Sequence, residues 1–130
     1  MPKKQIATFL GPNKGLSIIG EHAYAYSGVV ETSAAFQTFL DFQSPAKSYI
    51  KARLDVLWGE FSGDSIEWNL LMNGIEVMDS LNSPAGDYYP ITHVDFIIPP
   101  LTHVVWRIIN NSGSTTRNVS AVLKGRVYDA

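Results

Sequence analysis

From Leu16 onward most of the chain alternates apolar and polar positions with a period of two, the pattern of strands that bury one face. Over 36–42, Phe36, Thr38, Leu40 and Phe42 fall on one side and Gln37 and Asp41 on the other. Ile66, Trp68, Leu70 and Met72 alternate up to Asn73-Gly74, and Ile75 and Val77 alternate beyond it. Asn and Gly tolerate the positive φ of a two-residue type I′ turn, so this segment reads as a hairpin. Val94, Phe96 and Ile98 lead to Pro99-Pro100, and Val104, Trp106 and Ile108 follow. After a turn over 110–116, Val119, Ala121, Leu123 and Val127 complete the series.

The segment from Ser44-Pro45 to Trp58 admits two readings. Ser followed by Pro suits a helix N-cap and first position, and helical spacing would gather Tyr49, Ile50, Leu54 and Leu57 on one stripe. Arg53 would then project from the middle of that stripe. As a strand, Ile50, Ala52, Leu54, Val56 and Trp58 share one face and Lys51, Arg53 and Asp55 the other. No charge then faces the core, so a strand is expected.

Residues 1–15 sustain no period and contain the turn Gly11-Pro12-Asn13-Lys14-Gly15, so they read as an N-terminal arm ahead of one domain over 16–130. The stretch 80–90 reads as the longest loop, and its Tyr88 and Tyr89 make it a candidate binding surface. Short strands separated by turn signals predict an all-β fold: an antiparallel β-sandwich of about eight strands. A jelly roll of two four-stranded sheets fits the count, with an immunoglobulin-like Greek key as the alternative.

Composition supports one packed core: of 130 residues, 45% are hydrophobic and 17% charged. The net charge is −2 and the ten basic residues are scattered singly or in pairs, which argues against a nucleic-acid groove. With no cysteine, disulfides and thiolate chemistry are excluded. No apolar run reaches membrane-spanning length, and Ile6 to Phe9 is too short for a signal-peptide core. The expectation is a soluble product made inside the cell, with Asn110-Asn111-Ser112 and Asn118-Val119-Ser120 unglycosylated.

The candidate chemistry is thin. Gly63-Asp64-Ser65 matches the surroundings of some nucleophilic serines, but it opens a strand instead of joining a strand to a helix. His93 and Asp95 share the outward side of one strand and His103 begins the next, a possible metal triad that lacks the His-x-His spacing of cupins. His22 stands alone among Ala23, Tyr24, Ala25 and Tyr26. Glu60, Asp64, Glu67, Glu76 and Asp79 cluster in sequence and read as a solvated rim, not as a glycosidase pair. Trp58, Trp68 and Trp106 fall on apolar faces and read as core, whereas Tyr24, Tyr26, Tyr88 and Tyr89 could stack on sugars. No catalytic residue, metal ligand or cofactor site is therefore expected.

Two stretches carry a resemblance: the hairpin Leu70-Leu71-Met72-Asn73-Gly74-Ile75-Glu76-Val77 and the ending Val122-Leu123-Lys124-Gly125-Arg126-Val127-Tyr128. With Ile98-Pro99-Pro100 leading into a strand, they make residues 36–128 similar to small jelly-roll structural proteins of tailed bacteriophages and other viruses, of the capsid decoration or minor capsid class. The resemblance implies a non-enzymatic virion protein that assembles in copies, as a homo-oligomer and often a trimer, on a major capsid protein; the charge and hydropathy pattern adds the expectation of no membrane or nucleic-acid partner. Ile6, Phe9 and Leu10 of the arm, with Tyr88 and Tyr89, are the expected contact residues. A carbohydrate-binding, lectin-like module is the rival reading, in which the exposed tyrosines would meet a glycan.

Overall fold

In the structure, a computed structural model, Ile6–Ala7 and residues 15–58, 65–82, 93–111 and 118–130 are described. The period-two segments become strands throughout: β1 (Ile6–Ala7), β2 (Leu16–Ile19), β3 (His22–Tyr26), β4 (Val30–Glu31), β5 (Gln37–Gln43), β6 (Ser48–Trp58), β7 (Ile66–Met72), β8 (Ile75–Asn82), β9 (His93–Ile98), β10 (His103–Asn110) and β11 (Asn118–Asp129). No helix occurs among the described residues. Every pairing is antiparallel.

Two sheets result, one in the order β1-β2-β3-β11-β6-β9 with β4 also on β11, the other in the order β5-β10-β7-β8. Removing the short β1, β2 and β4 leaves four strands in each, β3-β11-β6-β9 and β5-β10-β7-β8. That is the double Greek key of a jelly roll, which decides against the immunoglobulin-like alternative. The three additions all belong to the first sheet, which makes it the larger.

Between the sheets lies one core, with Leu54 and Ile50 from β6, Leu123 and Ala121 from β11, Trp68 and Leu70 from β7, and Trp106 and Ile108 from β10. β6 settles the ambiguity at 44–58 in favour of the strand: Ile50, Ala52, Leu54 and Val56 are buried while Lys51 and Arg53 are exposed. Trp106 lies edge-on to Phe39 at 5.3 Å and 5.7 Å from Trp68. Both indole N–H groups are buried without an acceptor among the described residues, a cost of about 1–3 kcal/mol each that the packing of the rings must exceed.

The expected pattern breaks at Val77, an extra residue in β8 between Met78↔Leu70 and Glu76↔Leu71 that is 49% exposed, and in three further details. In β5 the register against β10 jumps between Trp106↔Leu40 and Arg107↔Thr38, so Phe39 is an inserted bulge residue and is buried beside Leu40. A one-residue insertion reverses the facing of everything before it. Phe36 and Thr38, expected inside, therefore turn to the outer side, where Phe36 is 37% exposed and the Arg107 guanidinium sits 4.2 Å from its ring centroid. Second, strand β8 runs on to Asn82, so the first residues of the expected 80–90 loop belong to the sheet. Third, Ile6–Ala7 pairs with Leu16 and Ser17 of β2, which places part of the expected arm on the sheet edge.

The Asn73-Gly74 turn has φ of 52° and 80°, the two positive values that type I′ requires. A second corner is held by a side chain. Ser44 Oγ donates to Pro99 O at 2.7 Å and accepts from Thr102 N at 2.8 Å. This ties the exit of β5 to the Pro99-Pro100 turn, where Leu101 adopts φ of 49°.

Candidate functional site

Alternation sends every second side chain of each strand outward, and pairing register then decides which of them meet. On the larger sheet, β6 contributes Lys51 and Arg53 and β11 contributes Lys124 and Arg126. Lys124 stands directly opposite Arg53, and Arg126 opposite Lys51. Four cations thus form a two-by-two block on adjacent strands. Like charges directly opposite each other are destabilising, and neighbouring carboxylates and a ring offset this. Asp55 lies 3.4 Å from Arg53 and 3.7 Å from Lys124, and Glu21 lies 3.0 Å from Arg126. Lys51 sits 5.3 Å above the Tyr128 ring, which stacks on Tyr49 at 5.2 Å.

The neighbouring strands extend this face with rings and apolar side chains. Tyr24 on β3 is opposite Lys124, and Asp95 on β9 is opposite Arg53. Tyr24 and Tyr26 are exposed, as are Ile19, Leu57 and Ile97 at 63%, 54% and 55%. Lys51, Arg53, Lys124, Asp95 and Ile97 line a shallow depression there of about 420 Å³.

The outer face of the smaller sheet has the opposite character. Asp41 (β5), Glu67 (β7), and Glu76 and Asp79 (β8) stand on it with one cation, Arg107 of β10. Arg107 Nε donates to Asn69 Oδ1 at 2.7 Å, and Asn69 lies between Arg107 and Asp79 in the register. Glu67 shares a side-chain hydrogen bond with Asp79, which lifts its carboxyl above the ordinary value of 4.5. Partial burial and the Asp79 charge push the same way, and a hydrogen bond with Asn111 opposes them. Carboxylates are therefore crowded on this face.

His93 and Asp95 stand on β9 of the larger sheet and His103 on β10 of the smaller, so the fold separates His103 from the other two. His103 Nε2 instead meets Asp41 at 2.6 Å. Among the described residues no three His, Asp or Glu side chains converge on a metal position. Ser65 leads directly into β7, and its carbonyl accepts from Asn111 N at 2.7 Å. Trp68 and Trp106 are core, as expected. Phe9, Leu10, Gly63, Asp64, Glu60, Tyr88 and Tyr89 lie outside the described residues, as does the Ile6 side chain.

The cation block does not show in the linear sequence, where its members fall in two segments some seventy residues apart. Its signal was present as Lys51-Ala52-Arg53 and Lys124-Gly125-Arg126, two strand segments with a cation at every outward position.

No protein-family model and no curated protein matches the chain. Solved structures do. The infectious bursal disease virus VP2 subviral particle is similar over 98% of this chain and 38% of that one, with a TM-score of 0.48 and 14% identity. The T=1 particles derived from infectious bursal virus match over 99% and 41%, with a TM-score of 0.41 and 11% identity. The Gx strain of infectious bursal disease virus matches over 98% and 42%, at 0.37 and 12%. The chain spans about two fifths of the length of these viral capsid chains.

Proposed function

We propose that this protein is a non-enzymatic structural component of a virion, a capsid-associated decoration or minor capsid protein that acts by assembling in copies. The observation that carries this reading is the exposed face of the larger sheet. Ile19, Tyr24, Tyr26, Leu57 and Ile97 are set there among charges, the mixed apolar, aromatic and polar surface that protein–protein contacts use. The similarity of residues 36–128 to jelly-roll decoration and minor capsid proteins gives the assembly its setting: copies of the chain, as a trimer, on a major capsid protein. The arm with Ile6, Phe9 and Leu10 and the pair Tyr88–Tyr89 supply further contacts.

A second reading, a glycan-binding module, is favoured by one observation: the exposed Tyr24 and Tyr26 rings share the face of the cation block, with Tyr24 directly opposite Lys124, as platforms for an acidic sugar would. One comparison separates the two. Oligomer mass by light scattering, particle binding and glycan-array binding are measured for the wild type, for a deletion of residues 1–15, for Tyr88→Ala/Tyr89→Ala and for Tyr24→Ala/Tyr26→Ala. Loss of assembly with a blank array supports the structural role. A strictly monomeric wild type that binds a defined glycan through these tyrosines refutes it.

A further inference from the structure

We infer that copies of this chain dock head to tail, the cation block on the larger sheet of one copy seating on the carboxylate face of the smaller sheet of the next. The inference rests on the assembly reading above and names the two surfaces that would meet. On each face the strand residues of one charge sign outnumber those of the other. Lys124 and Arg126 are held directly opposite Arg53 and Lys51, and the pairing register sets Glu67, Glu76 and Asp79 on one face of β7 and β8, where Glu67 shares a hydrogen bond with Asp79. Either crowd alone would suit many partners of opposite charge. Both together, on opposite outer faces of one sandwich, are each relieved by the other.

A polyanion such as a nucleic acid would relieve the cations and leave the carboxylates crowded, so a second copy accounts for more of the structure. The contact joins two different patches. It is therefore heterologous and propagates into a ring or a linear array, unlike a two-fold dimer that consumes one patch twice. Tyr24 and Ile97, beside the cations, supply the apolar area that charge pairs alone lack.

The test uses the full chain in sedimentation velocity. The basic-face variant is Lys51→Glu/Lys124→Glu and the acidic-face variant is Glu76→Lys/Asp79→Lys, with the neutral pairs Lys51→Gln/Lys124→Gln and Glu76→Gln/Asp79→Asn as milder versions. All are checked for native circular dichroism. Wild-type association is expected to weaken at least tenfold between about 50 and about 500 mM salt, and at least tenfold in each reversed variant. Each reversed variant keeps one intact face, and the two reversed faces are again opposite in sign, so an equimolar mixture of the two regains the association that each has lost alone.

Association that is unchanged by salt and by every variant overturns the docking mode while leaving assembly standing. A wild type that is monomeric at all concentrations overturns both. A basic-face variant that assembles normally but no longer binds a single-stranded oligonucleotide assigns the block to a polyanion and overturns the inference.

Discussion

Gly125→Ala is the substitution with the sharpest expected effect on the fold. Gly125 sits in β11 between Ala23 of β3 and Ala52 of β6, with its missing side chain on the crowded inner side of the sheet. A β-carbon there would press on the Lys51 carbonyl oxygen and stand 2.7 Å from Ile50 Cγ2 and 3.0 Å from Ala52 Cα. Carbon atoms pack comfortably at about 3.5–4.0 Å, so β6 and β11 must move apart by a large fraction of an ångström. Two of the three obstacles are backbone atoms, which no rotamer change can clear. The pair that has to open carries the longest register in the molecule, from Val119↔Trp58 to Asp129↔Ser48. Overpacking of this kind costs about 2–3 kcal/mol, after a smaller opposing gain from the stiffer unfolded chain. At about 2.1 cal/mol/K of unfolding entropy per residue, a chain of this length loses roughly 4 °C of Tm per kcal/mol, hence roughly 7–11 °C. Gly74→Ala is the control: a β-carbon there meets nothing within 4 Å, and only its φ of +80° is strained, for about 1 kcal/mol. Thermal melts followed by tryptophan fluorescence compare the two. A Gly125→Ala protein melting within about 2 °C of wild type, or above Gly74→Ala, would refute the close-approach argument.

Ser44→Ala removes both the donor to Pro99 O and the acceptor for the buried Thr102 N–H. It should lower stability by about 1–3 kcal/mol, seen as a lower urea midpoint at unchanged slope. Glu67→Gln tests the carboxylate crowding through pH. The folded state holds the Glu67 proton above the ordinary 4.5, so the ionised group weakens the fold above that raised value. The penalty disappears as pH falls through the folded value toward 4.5. The variant should be more stable than wild type near neutral pH, by under about 1 kcal/mol for so exposed a pair. The gap should close once Glu67 itself is protonated, so a gap that does not vary with pH would refute the assignment. Leu54→Ala, at a fully buried position of β6, should cost about 2–5 kcal/mol in the same denaturant series.

Much of the jelly roll is legible in the sequence because one buried face per strand leaves a period-two trace, which the long strands other than β5 and β8 carry unbroken. The trace fails where backbone irregularity intervenes. The Phe39 bulge shows as no turn residue, so Phe36 and Thr38 looked buried although the inserted residue turns them out. The two-residue strands β1 and β4 are too short to carry a period. His93, Asp95 and His103 are close in sequence, but the connection from β9 to β10 crosses from one sheet to the other and so parts them.

The charged faces mark the boundary between what one strand can show and what only pairing can. Along β6 and β11 the outward cations are visible as Lys-x-Arg, but nothing local says that these two strands will be neighbours, still less that Lys124 will stand against Arg53 and Arg126 against Lys51. The net charge of −2 conceals the same fact, because charges of opposite sign sorted onto opposite faces cancel in the sum. Arg53 does stand opposite Asp95 on its other side, and folding stability alone would favour the same for Lys51, Lys124 and Arg126. Glu76 and Asp79 on β8, strands away from every member of the block, cannot serve the cations within one molecule. They can do so between molecules, and that is where the opposed faces of this sandwich direct the next measurement.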